Sequence, residues 1–111
     1  MKIALILSLL LFQANASKRV LTIYAKDATE KTYLEQLRIL NADPEGLKER
    51  DVVIVPILKS PSFKILLTGK DGHKKYSADK ILTLSKLYAI IDAMPMRKEE
   101  MLKQDKTPAP K

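Results

Sequence analysis

Two stretches of this chain are apolar almost throughout, Arg19-Val20-Leu21-Thr22-Ile23-Tyr24-Ala25 and Val52-Val53-Ile54-Val55-Pro56-Ile57-Leu58. A strand with water on one face alternates polar and apolar residues; a strand covered on both faces does not. A helical pattern lies between the two runs. Asp27-Ala28-Thr29-Glu30 has the form of an N-cap with its capping-box acid three residues on. Tyr33, Leu34, Leu37 and Leu40 then recur at helical spacing, so an amphipathic helix is expected over 28–41. Asn41-Ala42-Asp43-Pro44 ends it, with Asp43 and Pro44 opening a short helical turn that reaches about residue 50. Strand, helix and strand in this order make a parallel βαβ unit with a right-handed crossover.

The second half adds an antiparallel hairpin and a helix. After Lys59-Ser60-Pro61-Ser62 comes a third strand over 63–68, then a tight turn, Gly69-Lys70-Asp71-Gly72-His73. Asp71-Gly72 is a hairpin signal that matches right-handed strand twist, and a short polar fourth strand over 74–77 follows. Ile81, Leu84, Leu87, Tyr88, Ile91 and Met94 define one face of a long helix over 79–93, which Pro95 breaks. Residues 96–103 can add one or two turns, and 104–111 read as a disordered tail.

The expected fold class is α/β, a four-stranded mixed sheet in the order β-α-β-β-β-α with a short extra C-terminal helix. This is the order of a reduced thioredoxin-like core, in which strand two lies outside strand one and strand three on its other side. The link between strands two and three must then cross two strand spacings, ~9.6 Å, and four extended residues span ~13 Å. A plain hairpin between strands two and three is the competing topology. Pro56 removes a ladder donor, suits an edge position and favours the first.

The N-terminus carries an address. Lys2 precedes an apolar run over 3–12, and Ala14-Asn15-Ala16 supplies the small-x-small pattern a signal peptidase accepts. Ten residues are too few for the roughly 20 that span a bilayer as a helix. A cleavable signal peptide over 1–16 is therefore expected, with cleavage after Ala16 and a secreted or periplasmic destination. The mature chain has 111 − 16 = 95 residues, one domain over 17–103 and the tail, with no transmembrane span. It contains no cysteine. Disulfide staples, thiol catalysis and thiolate metal sites are all excluded.

The formal charge is +7, or +6 once Lys2 is removed. Acids are interleaved with the bases, as in Lys48-Glu49-Arg50-Asp51 and Lys98-Glu99, which reads as a solvated, mildly basic surface. An unknown protein or an anionic surface polymer is the expected partner, and no nucleic acid, given export.

Two segments carry a family resemblance. Phe63-Lys64-Ile65-Leu66-Leu67-Thr68-Gly69-Lys70-Asp71-Gly72 is similar to the central strand and turn of domain of unknown function 4174 (DUF4174). Leu87-Tyr88-Ala89-Ile90-Ile91-Asp92-Ala93-Met94-Pro95-Met96-Arg97-Lys98-Glu99-Glu100-Met101 resembles its C-terminal signature. That family occurs in secreted bacterial proteins and in animal extracellular-matrix proteins with sushi repeats. The resemblance covers about residues 18–101 and implies a thioredoxin-like fold related to peroxiredoxins, without an established activity. The chain departs from the family pattern in two places. The link before Phe63 leaves no room for an intervening helix, and Lys75-Tyr76-Ser77 stands where a more basic strand is common.

In a thioredoxin-like protein the reactive cysteine would follow strand one, here in Lys26-Asp27-Ala28-Thr29. No thiol is present there, and Thr29 has no histidine or lysine placed as an evident base. Pro61 resembles the position of the cis-proline beside thioredoxin substrate sites, or is an ordinary trans proline at a strand entry. The binding candidates are Lys70, His73, Lys74 and Arg97. The first three, with Lys75, can form an anion-binding patch on the hairpin or a solvated turn. His73 is a lone histidine without clustered carboxylates, so no metal site and no cofactor are expected. Arg97 has two readings: an ion pair, for example with Asp92, or a guanidinium fork presented to an acidic partner. The expected function is a non-redox binding or interaction module; the alternative is a cysteine-independent enzyme or stress-response factor related to peroxiredoxins.

Overall fold

The computed structural model describes residues 18–106. The expected signal peptide and residues 107–111 of the expected tail lie outside the described residues. The elements are β1 (Arg19–Tyr24), α1 (Lys31–Leu40), α2 (Pro44–Glu49), β2 (Val52–Ile57), β3 (Lys64–Thr68), β4 (Lys74–Ala78), α3 (Leu84–Asp92) and α4 (Pro95–Lys106). The four strands form one mixed sheet in the order β2-β1-β3-β4, an α/β fold with the strand order expected from the sequence. β1 runs parallel to β2, with Ile23 opposite Pro56, and antiparallel to β3, with Leu21 opposite Leu67 and Ile23 opposite Ile65. Pro56 therefore sits on an edge strand, where its missing donor costs no ladder bond on the open side.

The link from β2 to β3 is held as it passes the end of β1. The Lys59 and Ser60 amides donate to the carbonyls of Lys26 (3.0 Å) and Ala25 (2.9 Å). Lys59 takes up the left-handed backbone region, φ 70°, to make the turn. Pro61 is trans and exposed, so the reading as a cis-proline does not apply.

The core is built on one sheet face, so the expectation from the two apolar runs of strands covered on both faces is not met: Val20 and Tyr24 of β1 are half-buried, and β2 beyond Val52 is half-buried or exposed. Leu21, Ile23, Ile65 and Leu67 are fully buried on the core face against Tyr33 and Leu40 of α1 and Leu87 and Ile91 of α3. Period-two alternation places the first four on the same side, and 3.6-residue spacing does the same for the helix residues.

Three helix boundaries differ from expectation. α1 starts at Lys31, not 28. Asp27 Oδ1 accepts from the amide (2.8 Å) and hydroxyl (2.6 Å) of Thr29, so the carboxylate closes a local turn instead of capping a helix. α3 starts at Leu84, not 79, because the buried Gln36 amide grips the extended backbone of Leu82. Gln36 Nε2 donates to the Leu82 carbonyl (2.8 Å), and the Leu82 amide donates to Gln36 Oε1 (2.7 Å). The Thr83 hydroxyl then caps the helix by accepting from the Lys86 amide (3.3 Å). Finally, Pro95 ends α3 and also opens α4, a 12-residue helix that takes in residues 104–106 of the expected tail. Proline at the first helical position sacrifices no hydrogen bond and brings the right φ.

Candidate functional site: an interior charge network beside a cationic cleft

Arg19 shares the core face of β1 with Leu21 and Ile23, so strand alternation drives its guanidinium inward. The residue is fully buried. Its Nη1 donates to the Arg50 carbonyl (2.8 Å), and Nη1 and Nη2 reach Glu100 Oε1 (3.3 Å) and Oε2 (3.2 Å) from α4. Glu100 Oε2 also accepts from Lys70 Nζ (2.7 Å), whose second partner is Asp51 Oδ2 (2.8 Å). Burial pushes the Glu100 carboxyl up, but the bonds from Lys70 and Arg19 outweigh it and hold the group below its ordinary value. Asp51 is likewise held low, chiefly by Lys70.

A second cluster continues from the first. Arg97, 1% exposed, donates from Nε to Asp92 Oδ1 (3.1 Å) and from Nη2 to Glu49 Oε2 (2.7 Å), and its Nη1 lies 3.5 Å from Glu100 Oε1. Arg50 grips the same Asp92 with Nε and Nη2, both at 3.1 Å, and lies over the Tyr88 ring, 3.8 Å from its centroid. The Tyr88 hydroxyl donates to Asp43 Oδ2 (2.8 Å). Burial, then that acceptor, pushes the Tyr88 hydroxyl up to about 12. Desolvation raises Asp92, and the two arginines overcome it and hold it low.

The network borders a cleft of about 170 Å³. Arg19, Lys70, Asp71 and Lys75 form its polar wall, and Met94, Pro95 and Met96, at the α3–α4 junction, form its apolar one. Lys75 Nζ donates to Asp71 Oδ2 (2.9 Å). Arg19 Nε, buried, has no hydrogen-bond partner among the described residues.

The four candidates from the sequence separate into two pairs. Lys70 and Arg97 meet on Glu100 inside the network. His73 and Lys74 stay exposed on the hairpin and do not line the cleft, although the His73 amide donates to the cleft residue Asp71 (Oδ1, 3.0 Å). For Arg97 the ion pair with Asp92 is the arrangement found. A fork turned toward an outside partner does not fit a side chain that is 1% exposed and bonded to two acids. The solvated reading of Lys48-Glu49-Arg50-Asp51 holds for the exposed Lys48 and not for Arg50 and Asp51, which bond inward, while Glu49, half exposed, also pairs with Arg97. Arg19 was missed. Its signal was positional, a cation at i−2 and i−4 from two core residues of one strand.

The fold and site define a cysteine-free α/β domain whose buried arginines tie sheet to helices beside a cationic cleft. A model for a domain of unknown function, DUF4174, matches residues 58–100, from the end of β2 into α4. The family expected from the two segments is the family matched. No curated protein and no solved structure matches the chain. Among the described residues no helix is long and apolar enough to cross a membrane.

Proposed function

We propose that this chain is exported, loses residues 1–16, and acts as a non-redox binding module on a thioredoxin-related scaffold. Its partner is an anionic protein or surface polymer, engaged at the β4 edge. One observation carries this reading. The acids nearest the core are spent on interior cations, while Lys74, Lys80 and Lys86, on and after edge strand β4, make no ion pair among the described residues. Lys86 instead stacks over the Tyr76 ring, 5.2 Å from its centroid, which keeps its charge on the β4 side. His73 extends the row onto the hairpin. Cations on and beside a sheet edge also discourage edge-to-edge pairing while attracting an opposite charge.

Loop 26–29 favours no hydrolytic reading. The Thr29 hydroxyl is bonded to Asp27, whose carboxyl that same bond holds low, and a lowered carboxyl is a weak base.

The test is retention of the exported protein on immobilised polyglutamate across a salt gradient. Wild type is retained, and Lys74→Glu/Lys80→Glu elutes at markedly lower salt. Lys31→Glu/Lys48→Glu, an equal change in net charge at other exposed sites, elutes close to wild type. Equal elution of the two double variants overturns the reading.

A further inference from the structure

The cleft between the hairpin and the α3–α4 junction is a built site, and its chemistry is more selective than a basic surface. Arg19 lines it but is fully buried, so its cation acts on the cleft through its charge and not by direct contact. Lys70, on the same wall, has three ammonium protons and two partners, Asp51 and Glu100, and Lys75 has three and one partner, Asp71, so both keep donors over. The first turn of α4 opens on the cleft through Pro95 and Met96, and the positive end of a 12-residue helix favours a negative group there.

Charge balance then selects the kind of anion. Arg19, Lys70 and Lys75 are matched by Asp51, Asp71 and Glu100, so the site offers unused donors, not a large net charge. A singly charged acceptor satisfies those donors; a dianion would face three carboxylates. The opposite wall, Met94, Pro95 and Met96, is apolar. At about 170 Å³ the space is well below the roughly 300–1,000 Å³ of pockets for drug-sized ligands and close to the ~150 Å³ cavity that holds benzene.

We infer that the cleft binds a carboxylate carried on a compact apolar body, its oxygens on the Lys70 and Lys75 ammoniums and its body against Met94 and Met96. The inference rests on the reading of this chain as a binding module and names the chemistry recognised beside the β4 edge. Such a group has two sources, a free small organic acid or the C-terminal residue of a peptide ending in an aliphatic side chain.

The probe is benzoate, titrated into the full exported chain and followed by backbone amide NMR. The expected result is saturable shifts at residues 70–71, 75 and 94–97, with benzamide, the neutral isostere, binding at least tenfold more weakly. Met96→Trp places an indole at a wall position that is 46% exposed, so it fills the cleft without disturbing the core, and abolishes the benzoate shifts. N-acetyl-leucine and its amide separate the sources: tighter binding of N-acetyl-leucine than of benzoate assigns a peptide C-terminus, and the reverse order a free acid. Benzoate shifts that are absent, equal for benzamide, or unchanged in Met96→Trp overturn the inference. Retention on polyglutamate is independent of Met96, so loss of benzoate binding with retention intact overturns the carboxylate site alone. Retention that is insensitive to Lys74 and Lys80 overturns the wider reading.

Discussion

Arg19 and Arg97 show how a single residue sets local geometry. Each is 1% exposed or less, and each is tolerated only because acids from other elements meet it. Removing one partner of a buried ion pair leaves the other uncompensated. For Arg97 those others, Asp92 and Glu49, are partly exposed and regain water, which softens the loss. Arg97→Ala should therefore cost about 2–3 kcal/mol, short of the 3–5 typical of fully buried pairs, and Arg97→Met less because it keeps the packing. Urea unfolding of the two variants checks the order; a neutral Arg97→Ala would contradict it. Gln36 is the uncharged counterpart. Both ends of its amide are satisfied by Leu82, and that pairing moves the start of α3 by five residues.

Elements here are delimited more by side-chain contacts than by periodicity. The helical pattern at Ile81 is real, but Ile81 joins the core from extended chain, since Gln36 and the Thr83 cap fix the start of the helix. The same limit applies to Asp27, where an acid at cap spacing bonds two residues on instead of three. Strand existence, order and edge were legible, because two largely apolar runs, a helix between them and a proline in the second leave few ways to arrange a sheet. The inward turn of Arg50 and Asp51 was not legible. A mixed-charge run looks the same whether it faces water or a buried arginine, and α2 and its cap decide which.

Gly46 in α2 gives the test at this scale. A β-carbon there would collide with Asp43 Oδ2 and the Tyr88 hydroxyl, the pair that joins α2 to α3. Helix propensity alone predicts that Gly46→Ala gains up to about 1 kcal/mol. The crowding reverses the sign, to a loss of about 1–2 kcal/mol in the range seen for overpacking. Thermal unfolding distinguishes the two.

At the scale of the whole molecule, the charge network joins parts of the chain that are distant in sequence. Arg19 and Glu100 are 81 residues apart, Glu49 and Arg97 48, and Arg50 and Asp92 42. A small domain without cysteine has no covalent staple, and these contacts close the same long loops reversibly. Their pH dependence follows from the shifted groups. Asp51, Asp92 and Glu100 are held low in the folded state, so their contribution is complete above their ordinary values of 3.8, 3.8 and 4.5. It is lost as pH falls through the lower folded values. Tyr88 and Lys70 are held high, so their contribution is complete below 10.0 and 10.5 and is lost as pH rises, for Tyr88 through about 12. The melting temperature should be level between about pH 5 and 9 and fall on both sides. Added salt should shift the acid limb little, because the central cations are buried.

The interior cations being matched, the proposed partner meets the charge on and after β4, at Lys74, Lys80 and Lys86. Titration of the full chain with soluble polyglutamate, followed by backbone amide NMR, reads that surface directly. The account predicts shifts concentrated at residues 73–80 and 86, weakening as salt is raised and lost in Lys74→Glu/Lys80→Glu. Shifts scattered over all exposed lysines, or centred on loop 26–29, would contradict it.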